Sequence, residues 1–173
     1  GTIVVEPSSN ACDKPGRSLL EEMLVTSRPD VKPRQETDPV TRPNALQASI
    51  NGKGEFELRG LNAVRYWLGL SLPNETLFVK TIVQKTPATD LARTGAVLKS
   101  GDKLTGVTVT VAEGAASFRG KVSAQEGSRL PSRLRVHLIP AESTAAEDVL
   151  RYAEILAGSD GSFAFTNLAP GKY

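Results

Sequence analysis

The sequence predicts an all-β protein, and three observations support that prediction. The 173 residues include 15 Gly and 11 Pro, which interrupt the chain at short intervals. The runs between them are rich in Val, Leu, Thr and Phe, which favour strands. A stretch at 54–66 recurs at 161–173, and such self-similarity indicates a duplicated structural unit. Short strands that are joined by turns and repeated along a chain are typical of β-sandwiches.

The internal repeat aligns residues 54–66 with 161–173 without a gap. Both copies contain a glycine, two alternating apolar residues, a leucine, a basic residue and a final tyrosine. The glycine turn supplies the positive φ that a hairpin needs, and the alternating apolar residues predict a strand with one inward face. Each copy is therefore expected to form a turn, a strand, a tight corner and the start of the next strand.

Five further strands are predicted, at 1–5, 66–72, 77–83, 104–111 and 118–122. The clearest pattern is that of Val107, Val109 and Val111, which alternate with threonines. With these strands the first part of the chain has enough segments to close a sandwich. Residues 144–156 partly fit helical spacing but are expected to be extended at their end, where they lead into a hairpin turn.

The predicted units are residues 1–113 and 114–173, which meet at a small-residue hinge without a long linker. The two units are therefore expected to meet with restricted freedom. Within the first unit, residues 28–43 contain four prolines and many charges, which predicts a long exposed loop. The second copy of the repeat lacks a counterpart of 67–111, so the second sandwich is expected to be incomplete at its C-terminus.

Charge and hydropathy exclude two kinds of partner. The net charge of +2 arises from 21 basic and 19 acidic residues that are spread along the chain, so no nucleic-acid partner is expected. No apolar stretch approaches the length of about 20 residues that a bilayer requires, so no membrane insertion is expected.

The residues that usually carry catalysis are scarce. Cys12 is the only cysteine and His137 the only histidine, and alternation in 134–138 places that histidine on an exposed strand face. A nucleophile, base and acid arrangement, a phosphate-binding loop and a metal-ligand spacing are all missing from the sequence. The chain is therefore not expected to be an enzyme, and no catalytic, cofactor-binding or metal-binding residue is assigned.

Residues 161–173, GSFAFTNLAPGKY, and 54–61, GEFELRGL, resemble the signature of carboxypeptidase regulatory-like modules. These modules are related to the transthyretin-like and collagen-adhesin B-type repeats of bacterial surface proteins. The resemblance covers most of the chain, although the first copy has Asn62-Ala63-Val64 in place of the Pro-Gly corner. It implies tandem prealbumin-like Greek-key β-sandwiches of the carbohydrate-binding-like class in extracellular, cell-surface or periplasmic proteins, and it implies no catalytic activity.

Two functions of different classes are open. The first is a structural or spacer module of a larger secreted or cell-surface bacterial protein, in contact with its other modules and assembling into a homo-oligomer through β-strand complementation. The second is a carbohydrate- or protein-binding module with Trp67, Phe78 and Tyr152 as its ligand-contact aromatics. Alternation places the neighbours Tyr66 and Trp67 on opposite faces, so at most one of that pair is a core residue of its sheet.

Overall fold

The computed structural model describes residues 1–6, 19–30, 46–125 and 128–173. Strands make up 43% of it, in several sheets with one short α-helix, so the all-β prediction is confirmed. Cys12 and residues 31–43 of the predicted loop lie outside the described residues.

Eight strands and a helix belong to what is called here the first unit: β1 (Thr2–Val5), β2 (Leu24–Pro29), β3 (Leu46–Ser49), β4 (Arg65–Ser71), β5 (Leu77–Gln84), β6 (Thr89–Asp90), α1 (Leu91–Thr94), β7 (Ala96–Val97) and β8 (Val107–Glu113). Four more strands belong to the second unit: β9 (Ala116–Lys121), β10 (Arg135–Leu138), β11 (Ala153–Leu156) and β12 (Ser162–Leu168). Two 3-10 turns, Ser143–Ala145 and Val149–Arg151, precede β11, so residues 144–156 begin in helical turns and end extended, as predicted.

The first unit is a sandwich of two four-stranded sheets, with strand orders β1-β8-β5-β6 and β3-β2-β4-β7. β1 runs parallel to β8, with Thr2 opposite Thr108 and Val5 opposite Val111. The other described strand pairs are antiparallel. The first and last strands of the unit are therefore neighbours in one sheet.

The core of the sandwich lies between the two sheets. On β8, the predicted alternation is confirmed, because Val107, Val109 and Val111 are all buried there. Val25 of β2 and Leu68 of β4 contribute from the facing sheet. Burying each such side chain stabilises the fold by about 1.5–3 kcal/mol. A register slip of one residue would turn all three β8 valines away from the core, so the packing also fixes the register.

The five predicted strands at 1–5, 66–72, 77–83, 104–111 and 118–122 are present as β1, β4, β5, β8 and β9, with ends that differ by a few residues. The strand predicted in the first copy of the repeat is not regular, because only Glu55 bridges antiparallel to Thr2. Phe56 turns its ring into the core, and residues beyond it have no neighbouring strand in the described part of the chain.

The predicted loop at 28–43 begins later than expected, because Arg28 and Pro29 belong to β2. Arg28 lies opposite Trp67 of β4, and Pro29 lies opposite Tyr66. Asp30 donates its backbone N–H to the Arg65 carbonyl at 2.8 Å, which makes the Pro29 position a non-hydrogen-bonded one in this ladder. Proline is tolerated there because no N–H is required.

The repeat in sequence recurs as a repeat in structure. Gly54 and Gly161 have φ of 81° and 83°, and each closes a four-residue turn. The Gly54 carbonyl accepts from Ile3 N–H at 2.7 Å, and the Gly161 carbonyl accepts from Val122 N–H at 3.0 Å. The same glycine therefore ties the turn to the opening strand in both units.

The tyrosine at the end of each copy makes the same kind of corner. Tyr66, which is 1% exposed, accepts from the backbone N–H of Asn62 at 2.9 Å through its hydroxyl. Tyr173 donates its hydroxyl to the Ala169 carbonyl at 2.7 Å. In both units the tyrosine hydroxyl is bonded to the backbone four residues upstream, which fixes the direction of the chain at the corner.

Substitution of Gly54 by alanine is expected to destabilise the first unit. The new Cβ would lie 2.7 Å from the Ile3 carbonyl oxygen, in addition to the strain of positive φ. Gly60→Ala is the matched control, because φ there is 74° and no atom lies within 4 Å of its Cβ. Urea unfolding should show a loss of about 1–2 kcal/mol for the control and a clearly larger loss for Gly54→Ala. Equal losses would contradict the close approach of Gly54 to β1.

Candidate functional site

One edge of β4 is only partly covered by its own sheet. β7 pairs with Arg65 and Tyr66 and extends no further along β4. Residues 67–71 have no strand partner on that side within the described residues. The second unit lies there instead, with its 149–151 turn and Asn167. The result is a groove between the free edge of β4 and the second unit.

This groove, called here the Trp67 groove, has a volume of about 380 Å³. That volume is at the lower end of the range for ligand pockets. Half of its twelve lining residues are aliphatic: Leu68, Leu70, Leu72, Val79, Val149 and Leu150. From the outer face of β2 and β4 the lining residues are Thr26, Arg28, Trp67 and Gly69. Leu150 also packs against the core of the first sandwich, so the second unit covers the side of the sandwich between β4 and β5.

Two of the three predicted ligand-contact aromatics line this groove. Trp67 is half-buried on the face of β4 opposite to the buried Tyr66, which confirms the alternation that the sequence predicts. Tyr152 follows the 149–151 turn, is 45% exposed and donates its hydroxyl to the Ala146 carbonyl at 2.7 Å. Tertiary structure thus brings together two rings that are far apart in the sequence.

Phe78 does not belong to the groove and is only 9% exposed. The expectation that its ring is available to a ligand is corrected by this burial. Its neighbour Leu77 points into the sandwich core, and Phe78 lies opposite the buried Ala112 on a strand that β12 contacts. The second unit contacts this strand through β12, and the sequence does not predict which strands of the first unit the second unit contacts.

The backbone of β4 presents polar groups to the Trp67 groove. The Arg65 carbonyl accepts from Asp30 on the β2 side, and the Val64 carbonyl accepts from Leu98 N–H on the β7 side at 3.2 Å. Successive residues of a strand point their N–H and C=O groups to opposite sides of the strand. The groups of Leu68 and Leu70 therefore point away from β2. They are directed toward the groove.

Arg28 adds a cation to the outer face beside the groove. It is exposed, lines the groove and lies opposite Trp67 in the ladder between β2 and β4. Among the described residues, no carboxylate lies within ion-pair distance of it. Its neighbour Arg65, in contrast, pairs with Asp30 at 3.6 Å.

Asn167 joins the two units. It interrupts β12 with φ of 56°, a conformation that asparagine tolerates better than most residues. Its side-chain amide donates to the carbonyls of Asn74 at 2.6 Å and Leu77 at 2.8 Å. Arg93 of α1 adds a second link by donating to the Thr144 carbonyl at 2.9 Å. These bonds hold the wall of the Trp67 groove against the first unit.

The second-unit wall of the groove is anchored by Arg151. Its guanidinium lies 3.1 Å from Glu142, donates to the Tyr173 hydroxyl at 3.1 Å and stacks 4.8 Å from that ring's centre. Glu142 also accepts from the backbone N–H of Lys172 at 2.9 Å. That hydrogen bond, helped by the Arg151 charge and opposed by desolvation, lowers the pKa of Glu142. The sequence carries no signal for this cluster, because its members meet only through tertiary structure.

A larger cavity of about 1300 Å³ opens at one end of the first sandwich, between residues 55–63 and 98–106. It reaches core residues such as Phe56 and Val107. On its rim, Arg59 bonds to Glu57 at 2.7 Å, and this bond lowers the pKa of Glu57. The charges of Arg59 and Glu57 on the rim thus satisfy one another.

His137 lies exposed on β10, as alternation predicts, with Nδ1 3.5 Å from Glu154. Glu154, on β11, also pairs with Arg135, which lies on β10 with His137. Within the described ranges, no group of three or more His, Cys, Asp and Glu side chains is placed to hold a metal ion. The described helices include none that is long and apolar enough to cross a membrane.

Comparison of the chain with family models, curated proteins and solved structures gives no match.

Replacing Asn167 by glycine is expected to loosen the junction between the units. Glycine retains positive φ but removes both amide hydrogen bonds, which are worth about 0.5–1.5 kcal/mol each. Small-angle scattering should show a larger radius of gyration, and the amides of 74–77 should exchange faster. Arg133→Gly, at the other described non-glycine residue with positive φ, is the control. An unchanged junction in Asn167→Gly would contradict the linking role.

Acid is expected to release the Arg151 anchor. Folding lowers the pKa of Glu142. The stability that its carboxylate contributes is therefore fully present above the ordinary pKa of 4.5 and is lost as the pH falls through the lower pKa of the folded state. The ring resonances of Tyr173 followed by NMR should shift in that range. Glu142→Gln should abolish the transition, whereas Glu75→Gln, which removes an exposed 3.9 Å pair with Arg119, should leave it intact. A transition that persists in Glu142→Gln would exclude Glu142 as its origin.

Proposed function

We propose that the chain is a non-catalytic structural module of a larger secreted or cell-surface bacterial protein. In this proposal it contains tandem prealbumin-like Greek-key β-sandwiches. Support comes from the two packed sheets of the first unit, its parallel closure of β1 on β8, and the recurrence of glycine and tyrosine contacts in both units. The resemblance of residues 161–173 to carboxypeptidase regulatory-like modules agrees with this function.

The observation that carries the structural role is the open state of the second unit. Its described strands form two ladders of only two strands each, β9 with β12 and β10 with β11. Phe118 on β9 is 50% exposed and Leu156 on β11 is 47% exposed. Two-stranded ladders are marginally stable alone, and their free edges invite further strands. We propose that neighbouring modules or a second subunit complete these ladders by strand complementation.

A second function is favoured by one specific observation. Trp67 and Tyr152, both predicted as ligand contacts, line the same groove beside the exposed Arg28. The groove combines aliphatic and aromatic side chains with a few polar groups, which is the usual composition of a binding site. The module can therefore also bind a carbohydrate or protein ligand in the Trp67 groove.

The structural proposal predicts self-association through the second unit. Light scattering over a concentration series should show a mass above that of the 18.4 kDa chain. Phe118→Lys combined with Leu156→Lys should shift the protein to monomer, because charges on both ladders oppose strand addition. Val97→Lys is the matched control, since Val97 is 58% exposed in the first unit.

Far-UV circular dichroism should show that each variant retains its strand content. A wild-type chain that is folded and monomeric at every concentration would contradict assembly through the second unit. Equal loss of association in Val97→Lys would show that the contact lies elsewhere.

A further inference from the structure

We propose that the Trp67 groove binds an extended peptide that adds a strand to the free edge of β4 and presents a carboxylate to Arg28. This inference rests on the second function above, binding in the Trp67 groove, and specifies its ligand. The occupant is a strand-forming segment of a partner protein with an acidic side chain.

The backbone of β4 is complementary to such a peptide. Leu68 and Leu70 direct their N–H and C=O groups toward the groove, two residues apart, which is the spacing of bonded positions along an extended strand. Polar backbone groups at an apolar surface require partners. An extended peptide supplies donors and acceptors at the matching interval, as in other cases of strand addition to a sheet edge.

The side chains of the groove suit a peptide with alternating residues. On the groove side of the edge, the aliphatic lining from both units provides an apolar surface for every second side chain. On the outer face, Gly69 carries no side chain beside Trp67, and the Thr26 hydroxyl of β2 occupies part of that space, 2.9 Å from the position of a Cβ. Trp67 itself is half-buried and lines the groove.

Charge identifies one feature of the partner. An added strand would lie about two strand spacings from β2, or on the order of 10 Å. Arg28 lies opposite Trp67, and its long side chain can extend over that ring toward the added strand. Among the described residues no carboxylate lies within ion-pair distance of Arg28, and an acidic side chain on the peptide would complement this cation.

A carbohydrate is less suited to these groups. The Tyr152 hydroxyl already donates to Ala146, and the Asn167 amide already donates to Asn74 and Leu77. Besides the Thr26 hydroxyl and the Arg28 guanidinium, the groove offers the N–H and C=O groups of the β4 backbone, and their regular spacing matches a peptide chain rather than the hydroxyls of a sugar ring.

The first test presents the full 173-residue chain to a display library of random linear seven-residue peptides. Selected peptides should alternate apolar residues and carry an acidic residue at one fixed position. Against Arg28→Glu the same peptides should bind at least about tenfold more weakly, and a new selection should prefer a basic residue at that position. Lys53→Glu, an exposed charge reversal elsewhere in the first unit, should leave affinity unchanged.

The second test methylates the backbone nitrogens of a selected peptide one at a time. Strand addition predicts that methylation at alternate residues abolishes binding, while methylation at the residues between them has little effect. Selected peptides that bind Arg28→Glu as tightly as the wild type, or that tolerate every methylation, would overturn the inference.

A glycan array tested in parallel distinguishes failure of the peptide inference from failure of ligand binding in the Trp67 groove, the function on which that inference rests. Trp67-dependent binding of a glycan, with no peptide selected, would overturn the peptide inference and leave groove binding intact. No binding of either probe, to a chain shown to be folded, would overturn both.

Discussion

Packing between the two four-stranded sheets of the first unit is the interaction on which the remaining features depend. Val107, Val109 and Val111 meet Val25 and Leu68 across the sandwich, and this burial fixes the register of both sheets. Once the register is fixed, Tyr66 must point inward and Trp67 outward. The alternation also determines that the backbone groups of every second residue of β4 face away from β2. The Trp67 groove is therefore a consequence of core packing.

The second unit lies beside an opening that this packing leaves along β4. Because β7 is only two residues long, the sandwich remains open along β4 beyond Tyr66. The second unit partly closes that opening with Leu150, which packs on the core, and with Asn167, which bonds to two carbonyls of the first unit. Yet it places a turn there and not a strand. Within the described part of the chain, the edge is thus shielded without being paired, which is the arrangement that the proposed peptide binding requires.

Much of the fold follows from local patterns in the sequence. The alternation of β8, the opposite faces of Tyr66 and Trp67, and the repeated glycine turns all depend on neighbouring residues and can be predicted. The burial of Phe78 could not be predicted in this way, because it involves contact of the second unit with β5. The bonds of Asn167 and the anchor at Arg151 likewise arise from long-range contacts. The proximity of Trp67 and Tyr152 in the groove also depends on long-range contacts. Asn167 alone has a local signal, because asparagine tolerates positive φ better than most residues.

Amide hydrogen exchange along β4, resolved by NMR, tests the central claim most directly. The account predicts strong protection of the Trp67 and Gly69 amides, which bond to β2, and fast exchange of Leu68 and Leu70, which face the groove. This alternation would establish both the register of the sandwich and the free edge beside the second unit. Equal protection of all four amides would show that the edge is already paired and would contradict the account.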